Sequence, residues 1–139
     1  MEVIDNRANN PVNNEPLVIF GHLLEFGIGS AVLRRDHRDW LESVAAPFLK
    51  GNQQGSFVLV GFASRSGAAN FNQQLSEQRV RAVLRFLTTP PRNVNPFQNA
   101  ASGGVGERAG ERAGQADGTE DSLLRAVLVE LWSIDVRAA

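Results

Sequence analysis

The amino-acid sequence predicts a two-layer α/β (α+β) sandwich in which a small sheet carries two helices on one face. The strongest indication is an apolar run at residues 57–60 that passes through a polar, glycine-bearing turn into an amphipathic helix. A second helical pattern covers residues 33–49, and residues 122–136 have the period of a strand. Because the chain has 139 residues, these elements are expected to form one domain.

The first 15 residues are predicted to lie outside that domain. They are rich in asparagine and lack an apolar core, so we expect residues 1–15 to be disordered or extended. The domain itself should span residues 16–139. It opens with a predicted strand at residues 16–26, in which Gly21 is a candidate bulge position. In the first helix, Pro47 should cause a kink or an early end because proline has no N–H group to donate.

The second helix has a start signal and a stop signal. Asn70 followed by Gln73 predicts its first turn, since two polar side chains at this spacing can satisfy free backbone N–H groups. Pro90 and Pro91 should end it, because the residue before a proline is pushed out of helical geometry. Beyond the prolines, residues 92–101 are predicted to include a short edge strand.

The segment at about 102–121 is predicted to be a flexible insertion rich in glycine, glutamate, arginine and alanine. The tetrapeptide GERA occurs twice in succession, at residues 106–109 and 110–113. Two copies of four residues cannot bury a core, so the repeat predicts a loop and not a repeat architecture. The strand at residues 122–136 should then close the domain.

Composition argues against several functional classes. The net charge of -1 provides no electrostatic footprint for nucleic acid. The absence of cysteine excludes a disulfide framework and thiolate chemistry. No run approaches the roughly 18 apolar residues of a membrane helix, so membrane insertion is not expected. The first residues also lack the positive start and apolar segment of a secretory signal peptide.

Catalysis is not expected either. His22 and His37 fall in a predicted strand and at a predicted helix start, without the spacing that binds a metal ion on one face. Ser64 and Ser66 have no neighbouring base that the sequence can supply. We therefore predict a protein that is not an enzyme and that uses no cofactor and no metal.

Residues 61–80 resemble the signature of the OmpA-like peptidoglycan-binding family, in which a strand ends in G-H-T-D and a helix carries N-x-x-L-S-x-x-R-A. The corresponding residues here are Gly61, Phe62, Ala63, Ser64, Gly67, Asn72, Leu75, Ser76, Arg79 and Val80. The helix half matches closely, whereas the strand half keeps only its glycine. Similar patterns occur at residues 26–33, 104–107 and 124–127, so the resemblance covers roughly residues 16–136.

The resemblance implies a mixed sheet with the element order β-α-β-α-β-β. It also implies a ligand, the zwitterionic end of diaminopimelate in the stem peptide of peptidoglycan. In the family, a loop carboxylate pairs with the ligand's ammonium group, and the arginine pairs with its carboxylate. Arg79 matches that arginine, Ser64 replaces the acid, and Asn72 and Arg125 fall at further matching positions. Arg65 adds a positive charge beside the loop.

The replacement of the acid predicts altered or weakened recognition. A hydrogen bond to a charged partner is worth about 1.5–3 kcal/mol, and its loss would lower the affinity roughly ten- to hundredfold. Arg65 and Arg79 together would suit another ligand with a carboxylate, such as an acidic peptide tail or a sugar acid. A structural role for Arg79 in an ion pair, or with its stem packed on the sheet, stays equally open.

These observations favour a non-catalytic cell-wall module that binds the peptidoglycan stem peptide or a similar carboxylate-bearing peptide. The alternative is that the fold serves as a protein-interaction or assembly component of an envelope or contractile secretion apparatus, with a protein partner or a second copy of the chain. The resemblance implies a periplasmic or cell-envelope location. The missing signal peptide leaves a cytoplasmic or assembly-associated location open.

Overall fold

The chain folds around a five-stranded sheet, seen in a computed structural model that describes residues 2–5 and 15–137. The strands are β1 (Glu2–Asp5), β2 (Val18–Leu23), β3 (Ser56–Phe62), β4 (Asn99–Gly104) and β5 (Ala126–Trp132). Their order across the sheet is β1-β2-β5-β3-β4. The pair β3–β4 is parallel and the other pairs are antiparallel, so the sheet is mixed, as expected.

The helices pack on one face of this sheet. They are α1 (Arg35–Trp40), a π-helical segment (Leu41–Ala45), α2 (Ala46–Gly51), α3 (Ala69–Thr88) and the short α4 (Arg108–Arg112). Short 3-10 turns at Pro96–Gln98 and Ser122–Leu124 precede β4 and β5. The predicted α+β sandwich is confirmed, and β1 and α4 are additional to the predicted element order. No helix within residues 15–137 is long and apolar enough to cross a membrane.

The core lies between the sheet and the helices. On β3 and β5, Leu59 pairs with Val129, and both side chains are fully buried. On β2, Ile19 pairs with Leu131 on the same face. Each such side chain stabilises the fold by about 1.5–3 kcal/mol relative to leaving it in water. The facing helices contribute Trp40, Leu41, Ala45, Leu49, Val80, Val83 and Leu87.

Gly21 is not at a bulge, so that prediction was wrong. Its register is regular, opposite Val3 on one side and Val129 on the other. The reason for a glycine is the indole ring of Trp40, since a Cβ atom at position 21 would lie only 2.3 Å from it. The glycine therefore makes room for the largest side chain of the first helix.

The first helix neither stops nor loses its continuity at Pro47. The π-helical segment Leu41–Ala45 ends one residue before α2 reaches Pro47, and the backbone N–H of Ala46 bonds to the carbonyl of Leu41, five residues earlier. A proline inside a helix removes one hydrogen bond and crowds the preceding turn. The wider π turn absorbs this crowding, and the helix continues to Gly51.

The second helix, α3, begins two residues earlier than predicted, because its N-cap residue is Ala68 and not Asn70. It runs over Ala69–Thr88, and its N-cap residue Ala68 makes no capping hydrogen bond through its side chain. Gln73 does not close a capping box, because its amide donates to the carbonyl of Gly104 (2.7 Å). The end before Pro90 is as predicted.

The region after α3 differs most from the sequence-based expectation. The edge strand β4 begins only at Asn99, whereas Val94 joins the core and Phe97 is exposed. Within the predicted insertion at 102–121, β4 ends at Gly104 and the short helix α4 follows, so this segment is not wholly a loop. Of the predicted N-terminal segment, Glu2–Asp5 form β1, and residues 1 and 6–14 lie outside the described residues.

Candidate functional site

A pocket of about 240 Å³ opens where the β2–α1 loop, the β3–α3 loop and the first turns of α3 meet. It combines apolar walls with a few hydroxyl, amide and guanidinium groups. Its lining residues are Ile28, Gly29, Ser64, Ser66, Gly67, Phe71, Asn72, Leu75, Arg79 and Arg125. The structure thus brings four of the five predicted site residues together, namely Ser64, Asn72, Arg79 and Arg125.

The close approach of α3 to β3 positions the arginine of the site. A Cβ atom at Gly61 would lie 2.1 Å from the carbonyl oxygen of Ser76, so a larger residue could not occupy this position without moving the helix. Three residues beyond Ser76, the same buried side of α3 carries Arg79.

Arg79 is completely buried and is held by backbone carbonyl groups. Its Nε donates to Ser30 (2.9 Å), its Nη1 to Phe62 (2.9 Å) and its Nη2 to Gly27 (3.2 Å). The ring of Phe26 lies 5.4 Å from the guanidinium carbon, within the range of a cation–π contact. Arg79 therefore joins the β2–α1 loop to the end of β3.

The charge of Arg79 has no direct counter-ion in the described part of the chain. No carboxylate there forms an ion pair with it, and all three partners are neutral carbonyl groups. Burial lowers the pKa of Arg79 to about 10, and nearby Arg125 adds to this effect, while Glu120 opposes it. The guanidinium stays protonated at neutral pH, so the site holds a buried positive charge.

Beside Arg79, a second group of polar side chains surrounds Glu120. Ser64 donates to Glu120 Oε1 (3.0 Å), Arg125 Nη1 donates to the same oxygen (2.5 Å), and Ser66 donates to Oε2. Partial burial raises the pKa of Glu120, but the hydrogen bonds from Ser66, Arg125 and Ser64 outweigh it, so the pKa lies below its usual value.

Arg65, the fifth predicted site residue, does not line the pocket. Its Nε donates to Glu107 Oε2 (2.6 Å) and its Nη1 to the carbonyl of Gln115 (2.7 Å). Glu107 is buried and also accepts a longer hydrogen bond from Asn72 (3.4 Å). Arg65 thus ties the β3–α3 loop to α4, and its charge is paired within the protein.

Glu120 is the site residue that sequence reasoning missed. It lies in the segment predicted as a flexible insertion and reaches Ser64 across 56 residues of sequence. No local pattern marks it. The one usable signal was indirect: the loop lacks the acid of the family pattern while the helix keeps the matching arginine, so an acid from another part of the chain was worth seeking.

The described residues contain no group of three or more histidine, aspartate or glutamate side chains placed to hold a metal ion. His37 is buried and fully engaged: Nε2 donates to the carbonyl of Leu24 (2.6 Å), and Nδ1 accepts from the backbone N–H of Arg34 (3.0 Å).

Comparison with solved structures agrees with the fold that the sequence motifs suggested. The chain is similar to the OmpA-like domain of FopA1 from Francisella tularensis, with a TM-score of 0.66 and 19% identity over 88% of this chain and 77% of that chain. It is also similar to the peptidoglycan-associated lipoprotein from Burkholderia pseudomallei, with a TM-score of 0.62 and 20% identity over 91% of this chain and 97% of that chain.

A third similar structure is the C-terminal domain of MotB from Helicobacter pylori, with a TM-score of 0.63 and 16% identity over 84% of this chain and 87% of that chain. No family model and no curated protein matches the sequence. At these identities the comparison concerns the fold, and the chain has the fold of an OmpA-like domain.

Proposed function

We propose that this protein is a non-catalytic cell-wall module of the cell envelope that binds the stem peptide of peptidoglycan through a carboxylate group of the ligand. The observation that carries the proposal is Arg79, a fully buried cation on a pocket wall with no carboxylate partner among the described residues. The shared fold with a peptidoglycan-associated lipoprotein supports the choice of ligand class.

The hydrogen bonds of Arg79 leave room for a ligand. A guanidinium has five N–H donors, and three of them bond to the carbonyls of Ser30, Phe62 and Gly27. One N–H group therefore remains on each terminal nitrogen. A carboxylate that binds in the pocket would be attracted by this buried charge, which has no competing anion among the described residues.

Recognition of the ligand at the β3–α3 loop should differ from that in the family pattern. Ser64 provides a hydroxyl group where the family has an acid, and this hydroxyl already donates to Glu120. The loop itself therefore offers no charge to an ammonium group. On this proposal, the carboxylate end of the ligand provides most of the binding energy at Arg79.

The test is co-sedimentation of the purified protein with peptidoglycan sacculi. We expect the wild type to pellet and Arg79→Met to stay in the supernatant, since methionine keeps much of the volume without the charge. Arg81→Met is the matched control, because Arg81 lies on the same helix with an exposed side chain. Equal pelleting of wild type and Arg79→Met would overturn the role of the arginine.

A second candidate function is a protein-interaction or assembly component. The β2–α1 loop beside the pocket exposes two large apolar side chains, Ile28 at 71% and Val32 at 73%. Exposed apolar groups around a pocket suit a protein partner. If wild-type protein does not pellet with sacculi under any salt condition, this second function becomes the better account.

A further inference from the structure

A second groove, of about 320 Å³, lies between the β2–α1 loop and the outer side of α3. It combines apolar side chains with two arginines, and no acidic residue lines it. Its lining residues are Ala31, Val32, Gln78, Arg81, Ala82 and Arg85. None of them lines the pocket around Arg79, so the groove is a separate surface.

Arg81 and Arg85 present two positive charges at this groove. They are four residues apart on α3, which places their Cβ atoms roughly 5–6 Å from each other, and both residues are exposed. Neither forms an ion pair with a carboxylate of residues 2–5 or 15–137. The two charges stand out in a chain whose net charge is -1. The groove should therefore attract anionic groups.

An exposed apolar side chain lies next to these charges. Val32 is 73% exposed, and it lines the groove together with Ala31 and Ala82. Covering such a side chain with a partner is favourable because apolar surface is removed from water. The hydrocarbon stems of Arg81 and Arg85 add apolar surface of their own. An occupant that carries both carboxylates and apolar side chains would match this surface.

An anionic membrane also offers negative charge and apolar chains, but it suits the surroundings of the groove less well. The helix that follows the β2–α1 loop exposes Asp36, Asp39 and Glu42, and an anionic lipid surface would repel these carboxylates. A short polypeptide segment covers far less surface and need not approach them. The charges of this region therefore favour a peptide over a membrane.

We propose that the groove binds an acidic segment of a partner protein, in which two carboxylates pair with Arg81 and Arg85 and an apolar side chain packs on Val32. Two carboxylates one turn apart on a helix are separated by about 5–6 Å at their Cβ atoms, which matches the spacing of the arginines. Since the groove is separate from the pocket around Arg79, this partner is additional to the proposed cell-wall ligand.

The test is fluorescence anisotropy of the full chain with three labelled peptides of the same length. The acidic probe is the sequence Leu-Glu-Glu-Leu repeated three times, which places glutamates four residues apart. The neutral probe has glutamine in place of glutamate, and the basic probe has lysine. We expect the wild type to bind the acidic probe about tenfold more tightly than the neutral one, since two exposed ion pairs each contribute modestly, and not to bind the basic probe. The preference should decrease as salt is added.

Two variants separate the charged and the apolar contributions. The double variant Arg81→Gln/Arg85→Gln should bind the acidic and the neutral probe equally well. Val32→Ser should weaken both probes to a similar extent and should keep the tenfold preference. The matched control is Arg108→Gln/Arg112→Gln, because these arginines are also exposed and four residues apart, on α4. It should behave like the wild type.

Three results would overturn the proposal. The first is a wild type without preference for the acidic probe, and the second is a loss of this preference in the α4 control as large as in the α3 double variant. The third is pelleting of the wild type with phosphatidylglycerol vesicles that the α3 double variant abolishes, which would assign the groove to a membrane. Co-sedimentation with sacculi should be the same for the wild type and the α3 double variant, since neither arginine lines the pocket around Arg79.

Discussion

Returning an acid to the loop, as Ser64→Asp, should destabilise the protein at neutral pH. Ser64 is buried and its hydroxyl lies 3.0 Å from Glu120 Oε1, so an aspartate here would face a second carboxylate at short range. Two unit charges about 4 Å apart repel by about 4 kcal/mol at an effective dielectric constant of about 20. Because Glu120 is partly exposed and paired with Arg125, we expect a loss of about 1–2 kcal/mol in the free energy of unfolding.

The loss should depend on pH in a defined direction. Repulsion between the two carboxylates raises the pKa of this pair in the folded variant above its value in the unfolded chain. The folded variant therefore binds a proton more readily than the unfolded one, and acidification stabilises it relative to the wild type. The difference in the free energy of unfolding between the two proteins should shrink as the pH falls from 7 to 5.

Urea unfolding at pH 7 and pH 5 measures both effects. The set of proteins is the wild type, Ser64→Asp, Glu120→Gln and the double variant, with Ser64→Asn as a control of similar size without charge. The double variant should recover most of the stability, which gives a favourable coupling energy between the two positions. If Ser64→Asp is as stable as Ser64→Asn at pH 7, then Glu120 does not lie where the structure has it.

Three further predictions concern single positions. Arg79→Met should lower the free energy of unfolding by about 2–4 kcal/mol, because three backbone carbonyls lose their charged donor. Removal of the buried cation offsets part of this loss. Urea unfolding measures the net change. Gly21→Ala should lower the free energy of unfolding by about 1–3 kcal/mol, because its Cβ atom would lie 2.3 Å from the Trp40 ring. Thermal unfolding should show a lower midpoint, and adding Trp40→Leu to this variant should partly restore it. Burial lowers the pKa of His37, so the wild type should lose stability as the pH falls below about 6.5. In His37→Gln the side-chain amide can still donate to the Leu24 carbonyl. The free energy of unfolding of this variant should therefore depend less on pH between pH 7.5 and 5.5. An unchanged profile would show that another group causes the loss.

The main helix and two central strands could be predicted from local patterns of apolar residues in the sequence. The helix α3 illustrates this, because Asn72, Ser76 and Arg79 share one side of it by spacing alone, and the structure buries all three. The strand β5 was predicted from its alternation, whereas β3 was predicted from the continuous apolar run at residues 57–60.

Features that depend on contacts distant in sequence were not predictable. Gly21 was predicted to be a bulge position, but the structure shows that it makes room for the Trp40 ring. The prolines differ in the same way: Pro90 ends a helix as expected, whereas Pro47 is accommodated by a π turn that no sequence rule indicated. At Gly21, packing against the Trp40 ring decided the outcome over local propensity.

The candidate site shows the same division. The arginine and asparagine of α3 and Arg125 were predicted as site residues from the resemblance to the OmpA-like family. The partners of the charged residues came from elsewhere: Glu107 pairs with Arg65 across 42 residues of sequence, and Glu120 reaches Ser64 across 56. Such pairs follow from the topology of β4, α4 and β5, which a single sequence does not define.

The most direct test of the proposed ligand site is a backbone amide NMR titration of the full chain with a soluble muropeptide that contains the stem peptide. Binding at the pocket predicts that the resonances of its lining residues, Gly29, Ser66 and Gly67 in particular, shift with saturation at a single affinity. The same titration of Arg79→Met should leave them in place. Shifts confined to the opposite face of the sheet, around Val60 and Leu128, or no shift at millimolar muropeptide, would contradict a carboxylate-binding pocket at Arg79.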